Sequence, residues 1–355
     1  MLRMELEETF SRHLDAGGMA FCVYRQGEPL LRLGGSGLEP DDLTVIFSGT
    51  KGLLAAAAAR LMERGDLDAD APVAQYWPEF AQAGKEQARV RHLLSHTVGL
   101  PYVEDPPPGR WGPLDSLANA QALAEQASLW PEGERVAYHP ITYGYLVGEL
   151  LRRITGRTPG ELIRELADDA APGSSAQAGS ALDLWLGLPE DQHHRMKPVL
   201  PAPDYAPGAD VQNEETVRAL DAMYGSTVKV PGFFTSRELY RAELAGAGGI
   251  ASADALACFY SQLISAEVGV VGAETLSRAT EVWAEGTDAL TGSELRFGLG
   301  FELYDWGFGH SGAGGGLHGA IPDAGIGFSF LTTQMLPSGR DVRAQELVET
   351  LRRSL

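Results

Sequence analysis

The sequence predicts an α+β protein in which one antiparallel sheet, assembled from both ends of the chain, is flanked by helices and interrupted by a mostly helical insertion. Three observations support this. Strand-like runs lie near both termini; helix-like patterns separated by Pro- and Gly-rich loops fill the middle; and 355 residues can bury a sizeable core shared between units. The expected division is a discontinuous sheet domain of residues 1–55 plus 236–355 and a mostly helical domain of 56–235.

Taken in order, "MLRMELEETFSRHLDAG" reads as an acidic amphipathic helix. It lacks the basic start and unbroken apolar stretch of a secretory leader, so a cytoplasmic protein is expected. "MAFCVYRQG" and "PLLRLGG" read as a hairpin joined at Gln26–Gly27–Glu28. The Ala-rich "GTKGLLAAAAARLMERG" then forms a helix beginning near Ser48, and residues 71–235 alternate helical patterns with loops such as "EDPPPGRWGP" and "PDYAPGAD". Beyond residue 237 a helix, "SADALACFYSQLI", precedes four strand-like runs: "LRFGLGFELYDW", residues 306–312, "GLHGAI" and "GIGFSFLTTQ". The helix "GRDVRAQELVETLRRSL" closes the chain. No internal repeat or low-complexity segment interrupts this order.

Composition excludes several classes of partner. Charged residues make up 21% of the chain, and no apolar run approaches the roughly 18 residues of a membrane span. A net charge of −20 repels phosphate backbones and anionic lipid, so nucleic acid and membrane are not expected partners. Cys22 and Cys258 each sit inside an apolar segment and read as small buried hydrophobes rather than a disulfide pair. Only four of the 28 basic residues are lysines, Lys51, Lys85, Lys197 and Lys229. Lysine, unlike arginine, can give up its proton, so each merits inspection.

Lys51 is the one with chemistry beside it. Ser48 precedes it by three residues, and positions three apart on a helix lie on one face about 5–6 Å apart. A hydroxyl at a helix start also faces free backbone N–H groups and the positive end of the helix dipole, which favour developing negative charge and disfavour an ammonium. The alternative role for Ser48 is an ordinary helix cap. A second Ser-x-x-Lys, Ser226 to Lys229, is followed by Val230–Pro231–Gly232 and is expected in an extended or loop segment, where the two side chains share no face.

Two further segments accompany the pair. "PEGERVAYHPITYGYLVGELLRRITG" places Tyr138 on a short loop before a strong helix, and "GFGHSGAGGG" places His310–Ser311–Gly312 at the end of a strand. With these the chain resembles the serine β-lactamase and penicillin-binding-protein superfamily, and more closely its class C β-lactamase-like esterase and D-aminopeptidase branch. "SGTK" matches Ser-x-x-Lys, "YHP" stands at the Tyr-x-Asn position and "HSG" at the Lys-Thr-Gly position, while "RHLLSHTVGLP" and "ELAGAGGIASADALACFY" are similar in phrasing. The resemblance covers nearly the whole chain.

It implies a β-lactamase-like fold with an active site between the two domains. Ser48 would be the acylated nucleophile, Lys51 its base or proton relay, and Tyr138 a second acid/base group. The backbone N–H groups of Ser48 and Ala313 would form the oxyanion hole, with His310 and Gly312 beside the substrate. A weak hydroxyl nucleophile needs an adjacent base, and fixed backbone donors stabilise a tetrahedral oxyanion. From the residues alone Tyr138 could instead be a loop anchor and His310 a packing residue. Tyr102, Trp111 and Tyr143 are candidates for an apolar pocket, or for core.

Other signals fall short of their chemistry. His92 and His96 are four apart, but Leu93 stands where a zinc-protease helix needs Glu. His193 and His194 read as solvated. Asp66, Asp68 and Asp70 are followed by Ala71 where a calcium loop needs Gly. No Gly-x-Ser-x-Gly elbow is present, and "GAGGGLHG" lies between strand-like runs rather than opening a helix. The expected protein is therefore a serine hydrolase without metal or cofactor. It would act on a small ester or amide, most simply as a carboxylesterase on uncharged esters, with a D-amino-acid peptidase, a weak β-lactamase, an acyltransferase or a catalytically silent binding protein as alternatives. Oligomeric state is left open.

Overall fold

The computed structural model of the protein describes residues 2–172, 181–205, 213–265, 270–337 and 340–355. Part of the loop "PDYAPGAD" and the start of the closing helical pattern lie outside these residues. In the first half the elements are α1 (Leu2–Ser11), β1 (Met19–Arg25), β2 (Glu28–Gly35), β3 (Thr44–Phe47), α2 (Thr50–Glu63), α3 (Val90–Leu94), α4 (Ser116–Glu125), α5 (Thr142–Thr155) and α6 (Pro159–Asp169). Then come β4 (Leu184–Trp185), β5 (Leu200–Pro201), α7 (Glu214–Tyr224), α8 (Arg237–Arg241), β6 (Gly249–Ala251), α9 (Ala253–Leu263) and α10 (Ala273–Ala279). The chain ends with β7 (Ala284–Thr287), β8 (Glu294–Phe297), β9 (Glu302–Tyr304), β10 (Gly307–Ser311), β11 (Leu317–Ile321), β12 (Ile326–Thr332), β13 (Gln334–Met335) and α11 (Arg343–Arg353).

Both ends of the chain do build one antiparallel sheet, of eight strands in the order β2-β1-β12-β11-β10-β9-β8-β7. The N-terminal hairpin joins the C-terminal strands through β1 and β12, in a register that sets Phe21 opposite Phe330 and Cys22 opposite Ser329. Helices cover both faces there, which is why "MAFCVY" is buried throughout instead of alternating. Phe21 and Val23 pack with Phe328, Phe330 and residues of α1 and α11, while Ala20, Cys22 and Tyr24 join the core that contains α9. Cys22 and Cys258 are both buried free thiols, as the sequence suggested.

Helix α2 supplies the interior of the molecule. Its run Ala55–Ala59 is wholly buried, and such small side chains let α5, α6, α10 and β10 close on it from several sides. Among the described residues no helix is long and apolar enough to cross a membrane.

The structure corrects the sequence reading in detail. Strand β7 was not anticipated, nor were β3, β6 and β4, which form a separate small sheet in that order. A parallel pair, β13 with β5, is also additional to the single sheet expected. "LRFGLGFELYDW" is two strands, because the chain reverses between them with Gly300 at φ +92°. The helix expected to open near Ser48 begins at Thr50, because Thr44–Phe47 is spent on β3 and the chain needs a turn between the two.

Candidate active site

Ser48 stands in that turn. Phe47, at φ 48°, leaves β3 through the left-handed region, a conformation unfavourable for a bulky residue and therefore held by its surroundings. Thr50 does much of the holding: its hydroxyl donates to Phe47 O (2.5 Å) and accepts from Gly249 N–H (2.8 Å), tying the turn to β6. Ser48 is left half-buried between a strand end and a helix start.

Lys51, in the first turn of α2, is completely buried. Its Nζ lies 3.1 Å from Ser48 Oγ and 2.7 Å from each of the carbonyl oxygens of Pro140 and Gly246. Gly246 can come so close because α5 carries glycine at 144, where a Cβ would fall 1.9 Å from Gly246 N. Burial holds the ammonium well below the ordinary lysine range, and the Glu302 carboxylate pulls it only part of the way back. A neutral amine has two N–H groups and one lone pair. The two carbonyls take the N–H groups, and the lone pair is left for the Ser48 hydroxyl. After protonation the third N–H has Ser48 Oγ as its acceptor, so both states of Lys51 are fully hydrogen-bonded.

The Tyr138 hydroxyl interacts with the Ser48 side chain, and the Tyr138 ring centre lies 5.0 Å from Lys51 Nζ. Its loop is pinned by Asp288 and Phe297, which the sequence reading did not single out, and by His96, which it weighed only as a metal ligand. Asp288, at the β7–β8 turn, accepts the Tyr138 backbone N–H at 2.8 Å. Phe297 stacks on the Tyr138 ring at 5.9 Å with the planes 6° apart, and His96 lies 5.0 Å from Tyr138 and 4.4 Å from Phe297. His96 is itself at φ 60° and fully buried; its carbonyl accepts Ala137 N–H and its Nδ1 accepts His139 N–H, both at 3.1 Å. His139 Nε2 accepts Leu100 N–H at 2.9 Å, so the ring is neutral with its proton on Nδ1, in keeping with a group that burial lowers to about 4. Burial, reinforced by Tyr224, raises Tyr138 well above the ordinary phenol range, so it holds its proton.

The opposite wall comes from β10. Gly312 packs so tightly that a Cβ there would lie 2.6 Å from Ile46 O, which brings the 312–316 turn against the strand leading to Ser48. Gly312 N–H closes that turn on Gly316 O and Gly315 N–H on Gly312 O; among the described residues neither Ala313 N–H nor Ser48 N–H has a hydrogen-bond acceptor. His310 is buried beneath Tyr138, 6.2 Å between ring centres, and donates from Nδ1 to Ser311 O at 2.8 Å. Burial lowers it to about 4 against the pull of Glu302, which leaves it neutral near pH 7.

The three pocket candidates separate. Tyr143 is core, fully buried and stacked on His96 at 4.9 Å beneath Gly300. Trp111 packs on Phe233 at 5.8 Å and under Arg110. Tyr102 lines a cavity of about 420 Å3 together with Ile141, Thr142 and Met223. The second Ser-x-x-Lys lies in a turn after α7, where Lys229 pairs with Asp221 at 2.6 Å. His92 and His96 do not face a common point: His92 Nδ1 takes the Arg89 N–H and His96 Nδ1 that of His139. His96, weighed from the sequence only as a metal ligand, acts instead on the Tyr138 loop and lay within the quoted phrase "RHLLSHTVGLP". Asp288, Glu302 and the Gly246 carbonyl carried no local signal.

The chain is similar to several known proteins. Esterase/beta-lactamase LipL of Mycobacterium tuberculosis is 29% identical over 350 residues, covering 90% of this chain and 78% of LipL. A penicillin-binding-protein homolog from Caulobacter crescentus superposes with a TM-score of 0.86 at 31% identity, covering 99% of this chain and 97% of its own. A family VIII carboxylesterase superposes with a TM-score of 0.87 at 26% identity, over 100% and 98% of the two chains. The profile of the family described as Beta-lactamase matches residues 6–352. With that match spanning nearly all of a chain folded in the same way as these relatives, the protein belongs to the Beta-lactamase family of serine hydrolases.

Proposed function

We propose that the protein is a carboxylesterase acting on small uncharged esters through an acyl-enzyme on Ser48. The observation that carries this reading is the hydrogen-bonding of Lys51, whose lone pair is directed at Ser48 Oγ by two carbonyls at 2.7 Å. Lys51 accepts the Ser48 proton as Oγ attacks the ester carbonyl, and the developing oxyanion meets the N–H groups of Ser48 and Ala313. Tyr138, which keeps its proton, donates it to the departing alkoxide and recovers one from Lys51. Water then enters, the same groups run in reverse, and the acid is released. Esters are favoured over lactams because Pro140 presents only a carbonyl, already used by Lys51, and because His310 is neutral. The names of the esterase relatives point the same way.

The site lies between the sheet unit and the helical unit in this reading, since Ser48, Lys51 and His310 come from one and Tyr138 from the other. Two buried unpaired thiols, both raised by burial, suit a reducing compartment such as the cytoplasm. The test is intact-mass and peptide mass spectrometry after reaction with a fluorophosphonate. A single adduct on Ser48, lost in Ser48→Ala, is expected; an adduct on Ser226, or one that survives the substitution, would sink the assignment.

A further inference from the structure

Beside the candidate site stands a carboxylate that, among the described residues, has no lysine or arginine partner. Glu302, on β9, receives both the backbone N–H and the hydroxyl of Ser311 at 2.9 Å on its Oε2. Ser311 and Ala313 are exposed at the edge of the cleft, and the Glu302 side chain retains 27% exposure. His310, 3.6 Å from the carboxylate, is neutral near pH 7 and already donates to Ser311 O. Among the described residues no lysine or arginine pairs with Glu302. Its hydrogen bonds to Ser311, two residues before Ala313, and its approach to His310, whose ring centre lies 6.2 Å from that of Tyr138, set it beside the reacting groups.

Two consequences follow for a substrate. The Ser311 donors are already committed, so an incoming carboxylate finds none free there and meets a like charge. A quaternary ammonium or amine finds an anion held rigidly by two hydrogen bonds, in a cleft where water screens it less than at the open surface. We propose that Glu302 makes this a cation-selecting site: esters bearing a positive charge near the reacting carbonyl are taken in preference to neutral isosteres, and carboxylate-bearing ones are rejected. This rests on the acyl-enzyme reading of Ser48 and narrows the ester class of that reading, putting cationic esters ahead of the uncharged ones.

The test compares kcat/KM within matched sets. One set carries trimethylammonium, tert-butyl or carboxylate at the end of the acyl chain of a p-nitrophenyl ester. A second carries the same groups on the alcohol of a butyrate ester. In wild type, at least one set is expected to show a cation-to-neutral ratio of roughly threefold to tenfold and an anion-to-neutral ratio below one by a similar factor. Glu302→Gln keeps an oxygen for Ser311 and removes the charge, and it is expected to bring both ratios to within about twofold of one. Ratios equal in wild type and Glu302→Gln overturn the inference. Should that variant fail to fold, the wild-type cation-to-neutral ratio is read between about 0.02 and 0.5 M salt, where screening should reduce it severalfold; a constant ratio overturns the inference. Absence of turnover on the neutral esters, together with no labelling of Ser48, sinks the esterase reading itself and is distinguishable from both results.

Discussion

The Asp288 carboxylate accepts the backbone N–H of Tyr138 at 2.8 Å, across 150 residues of sequence. Its other oxygen accepts the N–H groups of Leu290 and Thr291, at 2.8 and 2.9 Å, and the residue is only 3% exposed. One buried side chain thus ties the β7–β8 turn to the loop that carries the candidate acid/base.

Replacing Asp288 by Asn puts an NH2 group where one of three backbone donors needs an acceptor. A buried donor left without a partner costs about 1–3 kcal/mol. Asp288→Asn is expected to lose that much stability in urea unfolding and to lower kcat about tenfold with little change in KM, because Tyr138 is displaced while substrate contacts remain. Unchanged kcat would show that the Tyr138 loop is positioned without this bond.

Lys51→Arg keeps a positive charge but cannot accept the serine proton, because guanidinium stays protonated. Pre-steady-state acylation by a p-nitrophenyl ester is expected to fall by about 10²–10⁴-fold, the usual contribution of a general base. Near-normal acylation would leave Lys51 a purely electrostatic or structural role.

Tyr138→Phe retains the ring that stacks on Phe297 and removes only the hydroxyl. The loss in kcat is expected to be large for alkyl esters, whose alkoxide needs a proton to leave, and several-fold smaller for p-nitrophenyl esters, whose phenolate does not. An equal loss on both would place Tyr138 in some role other than acid to the leaving group.

Stability is expected to fall as pH drops from about 6.5 towards 4. His139 and His310 are lowered by burial to about 4 and His318 to about 3. In that window the unfolded chain takes up protons that the folded chain refuses, so acid favours unfolding; above pH 6.5 these groups contribute no slope. Each contributes on the order of 1 kcal/mol per pH unit. His318 is wholly buried, with Nδ1 3.0 Å from Ser329 Oγ. His318→Gln is expected to flatten the pH dependence of unfolding by about one proton, and an unaltered slope would show that His318 does not titrate on unfolding.

Esters are expected to outperform β-lactams. No side-chain amide occupies position 140 and His310 is neutral, so two polar contacts to a lactam are missing. Each such contact is worth roughly 1.5–3 kcal/mol when charged or buried. A short-chain p-nitrophenyl ester should therefore exceed a chromogenic cephalosporin in kcat/KM at pH 7. Equal or higher efficiency on the cephalosporin would mean that other residues supply those contacts.

What the sequence determined by itself was local or strongly periodic. The three-residue spacing of Ser48 and Lys51, the helix after Tyr138, the strand ending at His310 and the strands at both ends of the chain all follow from short-range geometry, because helix and strand periods act over a few residues. Tertiary structure decided the rest. Phe47 turns left-handed and ends β3 only because β6 and Thr50 hold it, so the helix starts two residues beyond Ser48. Tyr143, indistinguishable by sequence from a pocket residue, is core because Gly300 and His96 close over it. The acceptors that leave the Lys51 lone pair to Ser48 are backbone carbonyls of residues 140 and 246, and every residue has such a carbonyl, so no side-chain pattern could have marked them. Asp288 and Glu302 gain their meaning only when sheet closure sets β7–β10 beside the helical loops, and burial then determines the charges that Lys51 and His310 carry.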